Sequence, residues 1–277
     1  MMDDFSYDEW DSLQEEEYKP PRDKVVDDAK QTLRQFFDEK NEDVFHFQNI
    51  EVIFEKKYFH WITSRALGEL IKEGSLKCEE LALFEKSTIK FVFNRKYRYY
   101  KRKIKEKIVI VRKYSDPVIA QACGLQAEML FYNALVQAGF KPLGKNINWH
   151  GERKWEETNH DLDYIIEMDN IAYGAEVKNK FRYIDKSELD IKLRMCEYLG
   201  LKPLFIARMA PKHYINMVNK NGGYTLVFVT QIYPYGSGAL VAEIEKTLGL
   251  PVICPKAIPE GMIERFKNWH KKQLKSV

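Results

Sequence analysis

Apolar side chains recur at helical spacing in two stretches of the N-terminal half of the chain. One apolar position every three or four residues is typical of an amphipathic helix, so residues 24–39 and 59–73 are both predicted to be helical. Gly74 can adopt the left-handed conformation that ends a helix, and the second helix is predicted to stop there. The apolar positions are Val25, Val26, Ala29, Leu33, Phe36 and Phe37, then Phe59, Ile62, Ala66, Leu67, Leu70 and Ile71.

After Gly74 the pattern changes to two short β-like runs, 75–84 and 87–94, separated by the polar residues Glu85, Lys86 and Ser87. Such a pair of runs predicts a hairpin. Helices followed by a two-stranded hairpin favour a winged-helix-like DNA-binding domain over residues 24–113. In this interpretation 59–73 is the recognition helix, and the wing lies near 85–87.

The pattern of predicted elements changes at Asp116-Pro117, where a cap residue followed by proline predicts the start of a helix. The order then begins α-β-β-β-α-β, and its strand–helix–strand crossover implies parallel neighbours in a mixed sheet. We therefore predict an α/β (α+β) domain over 114–277, with parallel and antiparallel strands in one mixed sheet and an amphipathic helix at its end. The predicted elements are helix 116–138, strands 142–149, 163–168 and 171–178, helix 185–199, strand 204–207, helix 211–219 and strand 224–229.

Two local signals refine this order. Asp169-Asn170 lies between two of the strands, and both residue types tolerate positive φ, so a two-residue hairpin loop is predicted there. Asp185 followed by Glu188 three residues later predicts a capping box at the start of helix 185–199, and Gly200 predicts its end.

Composition narrows the class of protein. The chain has 277 residues, 45% of them hydrophobic and 31% charged, which describes a globular protein rather than a fibre or a wholly disordered chain. No apolar run is long enough to span a membrane, and no basic-then-apolar signal peptide begins the sequence. Four well-separated cysteines indicate neither a zinc pair nor a disulfide framework, so a cytoplasmic protein is expected.

Charge is unevenly distributed along the chain. The net charge is +3, yet residues 1–23 carry nine acids and two bases, or −7, which leaves +10 for residues 24–277. The composition of 1–23 predicts a disordered acidic tail, with mimicry of nucleic acid as the alternative. Residues 90–113 hold eleven Lys or Arg against one acid.

That basic segment contains tyrosines among its charges. Dense cations release counterions from a phosphate backbone, and tyrosines can stack on bases, so DNA is the expected partner, with double-stranded DNA favoured. The alternative is a solvated strand with its aromatic side buried. The residues expected to contact DNA are Arg95, Lys96, Arg98, Lys101, Arg102 and Lys103.

The predicted hairpin also brings carboxylates together. If Met168 pairs with Ile171, the same register places Asp163 opposite Glu176, with Lys178 on the same face. Directly opposed carboxylates repel, and an apolar sheet tolerates them if a cation lies between them. Oxygen ligands from two adjacent strands suit Mg²⁺. Ordinary exposed surface charges are the alternative.

Glu128 is a further candidate ligand. Its neighbours at helical spacing are Gly124, Leu125, Phe131, Tyr132 and Leu135, so it lies on the packed face of its helix. Buried acids are usually paired or bind metal. A structural, hydrogen-bonded glutamate is the alternative.

Glu128 on a helix, Asp163 on a strand and Glu176-Val177-Lys178 on the next strand resemble the PD-(D/E)xK nuclease superfamily, which has the restriction-endonuclease-like fold with an αβββαβ core. The resemblance covers about residues 116–230. His160-Asp161-Leu162-Asp163 stands where the family has its Pro-Asp pair, so Asp161 and Asp163 are both candidates, and Asp163 is favoured because it falls opposite Glu176.

The resemblance implies that Asp163 and Glu176 hold Mg²⁺, with Mn²⁺ as a substitute. It implies that Lys178 positions or activates water and that Glu128 ligates the metal directly or through water. Lys180 and Arg182 follow the motif and are expected to touch the DNA backbone, with plain surface solvation as the alternative. Asn179 between them is a further candidate for the same role.

The expected function is a metal-dependent DNA endonuclease of restriction or defence type, because a separate DNA-binding domain suggests site selection. Cutting both strands needs two active sites, so a homodimer is expected from the resemblance. A Holliday-junction or repair nuclease is the enzymatic alternative. A non-catalytic DNA-binding regulator on a nuclease-like scaffold is the alternative from another class.

Overall fold

The computed structural model describes residues 23–85 and 87–274. The acidic tail predicted over 1–23 therefore lies outside the described residues, except for Asp23, and so does Lys86 in the predicted wing. Asp23 caps the first helix, because its carboxylate accepts a hydrogen bond from the backbone N–H of Val25 at 3.0 Å. In this described part of the chain, no helix has the length and apolar character needed to cross a bilayer.

The N-terminal elements follow the predicted order. Both predicted helices and both hairpin strands are confirmed, and Gly74 has the expected positive φ of 72°. A short strand and a short helix, which the apolar pattern did not reveal, lie between the two helices. The elements are α1 Lys24–Glu39, β1 Val44–His46, α2 Phe47–Phe54, α3 His60–Lys72, β2 Leu76–Phe84 and β3 Ser87–Asn94.

These strands form an antiparallel sheet in the order β1-β3-β2, and α1 and α3 pack against it. Their core includes Leu33 and Phe37 of α1 and Leu67 and Leu70 of α3, all fully buried. Helix α3 keeps one face open to solvent. Its exposed residues include Trp61, Arg65 and Lys72.

The part of the basic segment that follows β3 is a short connection and then a helix, not a strand. Helix α4 spans Tyr100–Tyr114 and buries Ile104, Lys107, Ile108 and Val111, whose spacing of three or four residues matches the helical repeat. The strand alternative for this segment is therefore wrong. Helix α4 contacts β1 and β2, and its apolar side chains share one cluster with those of β1 and β3, which attaches the helix to the N-terminal sheet.

The second half contains the predicted α-β-β-β-α-β order, with two additional short strands inserted before its second strand and, among the described residues, three helices and three strands after it. Its elements are α5 Pro117–Gln137, β4 Lys141–Ile147, β5 Trp149–His150, β6 Arg153–Lys154, β7 Leu162–Met168, β8 Ile171–Lys178, α6 Lys186–Leu199, β9 Lys202–Ala207, α7 Lys212–Lys220, β10 Tyr224–Val227, β11 Gln231–Ile232, α8 Gly238–Leu248, β12 Val252–Ile253 and α9 Glu260–Leu274. In the described residues, β10-β9-β8-β7-β4 form a five-stranded mixed sheet with β8 at its centre.

The loop between β7 and β8 sets their register. Asp169 and Asn170 have φ of 52° and 60°, as predicted for a two-residue hairpin, and Met168 pairs with Ile171. The ladder continues in the predicted register to Tyr164 and Ala175. Strand β8 pairs in parallel with β9 across helix α6, so the predicted mixed sheet is confirmed.

The two halves of the chain share apolar packing across the predicted boundary at 113 and 114. Helix α4 contacts α8, and one apolar cluster contains Phe91 and Ile108 together with Ile244 and Leu248. The sheet has its own core between α5 and α9, where Phe131, Phe140 and Phe266 are buried.

A buried ion pair also joins the halves. Arg208, fully buried just after β9, donates two hydrogen bonds to the carboxylate of Glu55, which follows α2, at 2.7 and 2.6 Å. Burial raises the pKa of Glu55, but the hydrogen bonds from Arg208 and His60 outweigh it, and the pKa lies below its ordinary value. Glu55 is therefore an anion paired with a buried cation.

Glu55→Ala should cost about 3–5 kcal/mol of stability, because it leaves the guanidinium of Arg208 buried without a counter-charge. Urea unfolding measures the loss. Glu243→Ala is the matched control, because Glu243 pairs with Lys113 at 2.9 Å on the exposed surface, where such a pair contributes less than about 1 kcal/mol. Equal losses in the two variants would contradict the assigned role of the Arg208 pair.

Candidate active site

Strand β8 carries Glu176 and Lys178 at its carboxyl end. The side chains alternate, so these two residues share one face of the sheet while Val177 points into the apolar core on the other. Glu176 is buried, with 2% of its side chain exposed, whereas Lys178 keeps 19% exposed. The lysine therefore extends from a buried carboxylate towards solvent.

Asp163 lies beside this pair on β7. Its Oδ2 accepts a hydrogen bond from the backbone N–H of Val177 at 2.6 Å, which holds the carboxylate next to Glu176. Burial, and then the charge of Glu176, raise the pKa of Asp163 to about 7. Asp161 differs, because its side chain is exposed and its backbone oxygen accepts a hydrogen bond from Lys192.

Glu128 faces the same group of charges from helix α5. It is partly buried, and burial followed by the charge of Glu176 raises its pKa, while Lys178 and Lys145 lower it. The charge of Glu176 therefore raises the pKa values of both Glu128 and Asp163, the charge of Glu128 also raises the pKa of Asp163, and the charge of Lys178 opposes these effects.

Helix α6 contributes two residues that the sequence analysis missed as part of the site. Lys192 Nζ lies 2.6 Å from Glu176 Oε2, and Glu188 Oε1 lies 2.7 Å from Lys178 Nζ. Lys178 Nζ is also 2.7 Å from Glu176 Oε1, so an ammonium group faces each carboxylate oxygen of Glu176. We call these six residues the acid–lysine cluster: Glu128, Asp163, Glu176, Lys178, Glu188 and Lys192.

Glu188 was predicted to act in a capping box, and that prediction is wrong. The side chain of Asp185 makes no cap hydrogen bond, and Glu188 instead pairs with Lys178. The useful signal in the sequence is the spacing of Glu188 and Lys192, which places them one above the other on a helix face. Lys192 lies among the buried positions Leu189, Leu193 and Met195, where a charge needs a partner.

Lys178 is a cation in this arrangement. Burial lowers its pKa, but the charge of Glu176 and the hydrogen bonds to Glu176 and Glu188 outweigh it, so the pKa lies above its ordinary value. A protonated lysine can stabilise negative charge and orient a water molecule, but it cannot remove a proton.

The charges of the cluster fit a divalent cation. Its four carboxylates and two ammonium groups carry a formal charge of −2. Lys145 is not counted, because its ammonium group lies over the ring of Tyr132. Carboxylate oxygens suit a hard cation such as Mg²⁺. Across the described residues, however, no three or more His, Cys, Asp or Glu side chains converge into a ready-made metal site. Asp163, Glu176 and Glu128 are the residues that would hold the ion.

The residues of the basic segment that are predicted to contact DNA lie between β3 and the first turn of α4. Arg95, Lys96, Arg98, Lys101 and Arg102 are exposed, and Lys103 is partly so. Tyr99 is 73% exposed. Tyr100 instead packs against the apolar core, because its ring stacks on that of Phe93 with the centroids 4.2 Å apart. Lys107 belongs to the same run in sequence but is buried, donating to the backbone oxygen of Val44 at 2.7 Å.

The loop after β8 contains both exposed and buried residues among those predicted to contact DNA. Lys180 and Arg182 are exposed. Asn179, which the sequence suggests as a backbone contact, is buried, and its amide donates to the backbone oxygens of Cys123 and Ile232 at 2.9 and 2.6 Å. That prediction for Asn179 is wrong, because its side chain links the start of the loop to α5 and β11.

The sequence matches no known family of proteins, and a search of curated proteins finds no similar sequence.

Thermal stabilisation by Mg²⁺ should depend on pH through Asp163. The pKa of Asp163 is raised from 3.8 to about 7, so the folded protein holds this proton more tightly than the unfolded chain does. In the absence of metal, the free energy of unfolding therefore falls as the pH rises between these two values. A cation binds the ionised form, so millimolar Mg²⁺ should raise the melting temperature by about 3–10 °C near pH 8 and by less near pH 5.5.

Asp163→Asn should remove most of the pH-dependent part of this shift, whereas Asp161→Asn should retain it. Differential scanning fluorimetry with and without metal measures both variants. A shift of equal size in wild type and Asp163→Asn would contradict the assignment of Asp163 as a ligand.

Proposed function

We propose that the protein is a metal-dependent DNA endonuclease that hydrolyses phosphodiester bonds. The observation that carries this proposal is the acid–lysine cluster, in which carboxylates with a net negative charge surround a partly exposed, protonated lysine. The PD-(D/E)xK resemblance supports the same function, because the residues of its motif are the residues that meet in the cluster.

Each residue of the cluster has a role in this chemistry. Asp163, Glu176 and Glu128 would hold Mg²⁺, which when bound supplies a water of lowered pKa and a Lewis acid. Lys178 reaches the solvent side and stabilises charge developing on the phosphate. Glu188 positions the ammonium group of Lys178, Lys192 neutralises Glu176, and the N–H of Val177 orients Asp163.

The N-terminal half would bind the DNA. Its helices, its β1-β3-β2 sheet and the open face of α3 support a winged-helix-like domain. The 15 residues of α4 extend about 20 Å, from the exposed basic residues to Tyr114, which contacts Phe181 after β8. Duplex DNA covers that length with about six base pairs, so both regions could contact one duplex.

A restriction or defence enzyme remains the favoured subtype, because this domain offers a means of site selection. A homodimer would supply the second active site that cutting both strands requires. Junction or repair cleavage is the enzymatic alternative.

A non-catalytic DNA-binding regulator is the second candidate function. One observation favours it: both carboxylate oxygens of Glu176 already face ammonium groups, at 2.7 and 2.6 Å. A protein that never binds metal could use this arrangement to neutralise a buried acid.

Incubation with Mg²⁺ or Mn²⁺ and four substrates distinguishes these candidates. The substrates are supercoiled plasmid, linear duplex, single-stranded DNA and a branched junction. We expect wild type to cut DNA and Lys178→Met, which keeps the aliphatic stem, to lose at least about 100-fold in rate. Lys141→Met is the control, since Lys141 is exposed at the far end of β4 and pairs with Glu167 rather than with the Asp163 end of β7.

Discrete fragments from plasmid and duplex would support the restriction type, and preferential cutting of the junction would support a resolvase. Binding without cutting, unchanged in Lys178→Met, would support the regulator and contradict the nuclease proposal.

A further inference from the structure

A pocket of about 570 Å³ lies between the N-terminal end of α3, the loop after β8 and the start of α7. This volume is within the range of small-molecule sites in proteins. We call it the aromatic pocket; its lining includes Phe59, Trp61, Tyr183, His213 and Tyr214.

Flat rings dominate this lining. The rings of His60 and Tyr183 stack at 4.0 Å with an interplanar angle of 17°, which forms a rigid wall. Trp61 projects from α3 with 57% of its surface exposed, although a large apolar side chain gains from burial. Exposed aromatic rings provide stacking surfaces for nucleobases.

The polar groups of the pocket suit the edge of a base better than a phosphate. Arg182 and Lys186 provide donors, while Glu51 and Asp185 provide acceptors, so these four side chains carry no net charge. A phosphate site would need a cationic excess, whereas a base presents donors and acceptors together.

The pocket lies close to the cluster along helix α6. Asp185 and Lys186 line the pocket at the start of this helix, and Glu188, which holds Lys178, follows two residues after Lys186. A rise of about 1.5 Å per residue places the two sites within about one helical turn of each other. A nucleotide bound in the pocket would therefore be a near neighbour of the phosphate at Lys178.

We propose that the aromatic pocket binds an unpaired nucleobase of the substrate strand, next to the phosphodiester that is cut. This inference rests on the proposed nuclease function and narrows its substrate class to DNA with an unpaired or flipped-out nucleotide beside the cleavage position. Trp61 supplies the stacking face, and Arg182 and Asp185 supply groups that can bond the base edge.

Binding measured without metal tests this inference separately from catalysis. Fluorescence anisotropy in EDTA would compare a labelled single strand, a duplex with a single-stranded overhang and a blunt duplex. Trp61→Ala should weaken binding of the first two by about 5- to 150-fold and weaken binding of the blunt duplex far less, while Trp61→Phe retains most of the affinity.

Trp149→Ala is the matched control, because Trp149 is also exposed, at 52%, but lies on the β5–β6 hairpin. That hairpin contacts the opposite end of α6, where Arg153 Nη1 donates to the backbone oxygen of Tyr198 at 2.9 Å. The 14 residues of α6 separate the hairpin from the pocket by about 20 Å. We expect Trp149→Ala to leave all three affinities unchanged.

Equal weakening of all three DNA forms by Trp61→Ala, or unchanged affinity for the single strand, would overturn the inference. Saturable binding of thymidine monophosphate, together with unchanged strand affinity in Trp61→Ala, would assign the pocket to a free nucleotide and also overturn it. Loss of strand affinity in Trp61→Ala by a protein that cuts no DNA would support the pocket and contradict the nuclease function alone.

Discussion

Glu176 carries a carboxylate into the central strand of the five-stranded sheet, where 2% of its side chain is exposed. An unpaired charge at such a depth costs several kcal/mol, so the surrounding elements must compensate it. Lys178 does so from the same strand and Lys192 from helix α6. The crossover helix between β8 and β9 is thereby tied to the sheet by charge as well as by apolar packing, and the place of Lys178 is determined by Glu176 and Glu188.

Arg208 extends this constraint to the N-terminal half. Its backbone N–H donates to the oxygen of Lys178 at 2.9 Å, and its guanidinium bonds both Glu55 and the backbone oxygens of Lys180 and Phe181. One buried residue therefore contacts the N-terminal half, the loop after β8 and the end of the strand that carries Lys178. If the N-terminal half binds DNA as proposed, this attachment would present the DNA to the cluster in a defined orientation.

Local patterns in the sequence predict much of this architecture. The hairpin at Asp169 and Asn170 follows from residues that accept positive φ, and its register follows from the strand period of two, so the proximity of Asp163 and Glu176 is predictable. Lys192 is not, because its pairing depends on how α6 docks on the sheet. Glu188 shows the same limit: a local capping signal competed with a charged partner, and the partner prevailed.

The central claim is that the acid–lysine cluster binds a divalent cation. Anomalous diffraction from crystals soaked in Mn²⁺, with and without a bound oligonucleotide, tests it most directly. We expect a peak in direct contact with Asp163 and Glu176 in the wild type, and none there in Asp163→Asn. Wild-type crystals without a peak at these carboxylates, whether DNA is present or absent, would contradict the claim and leave the two lysines as the permanent partners of Glu176.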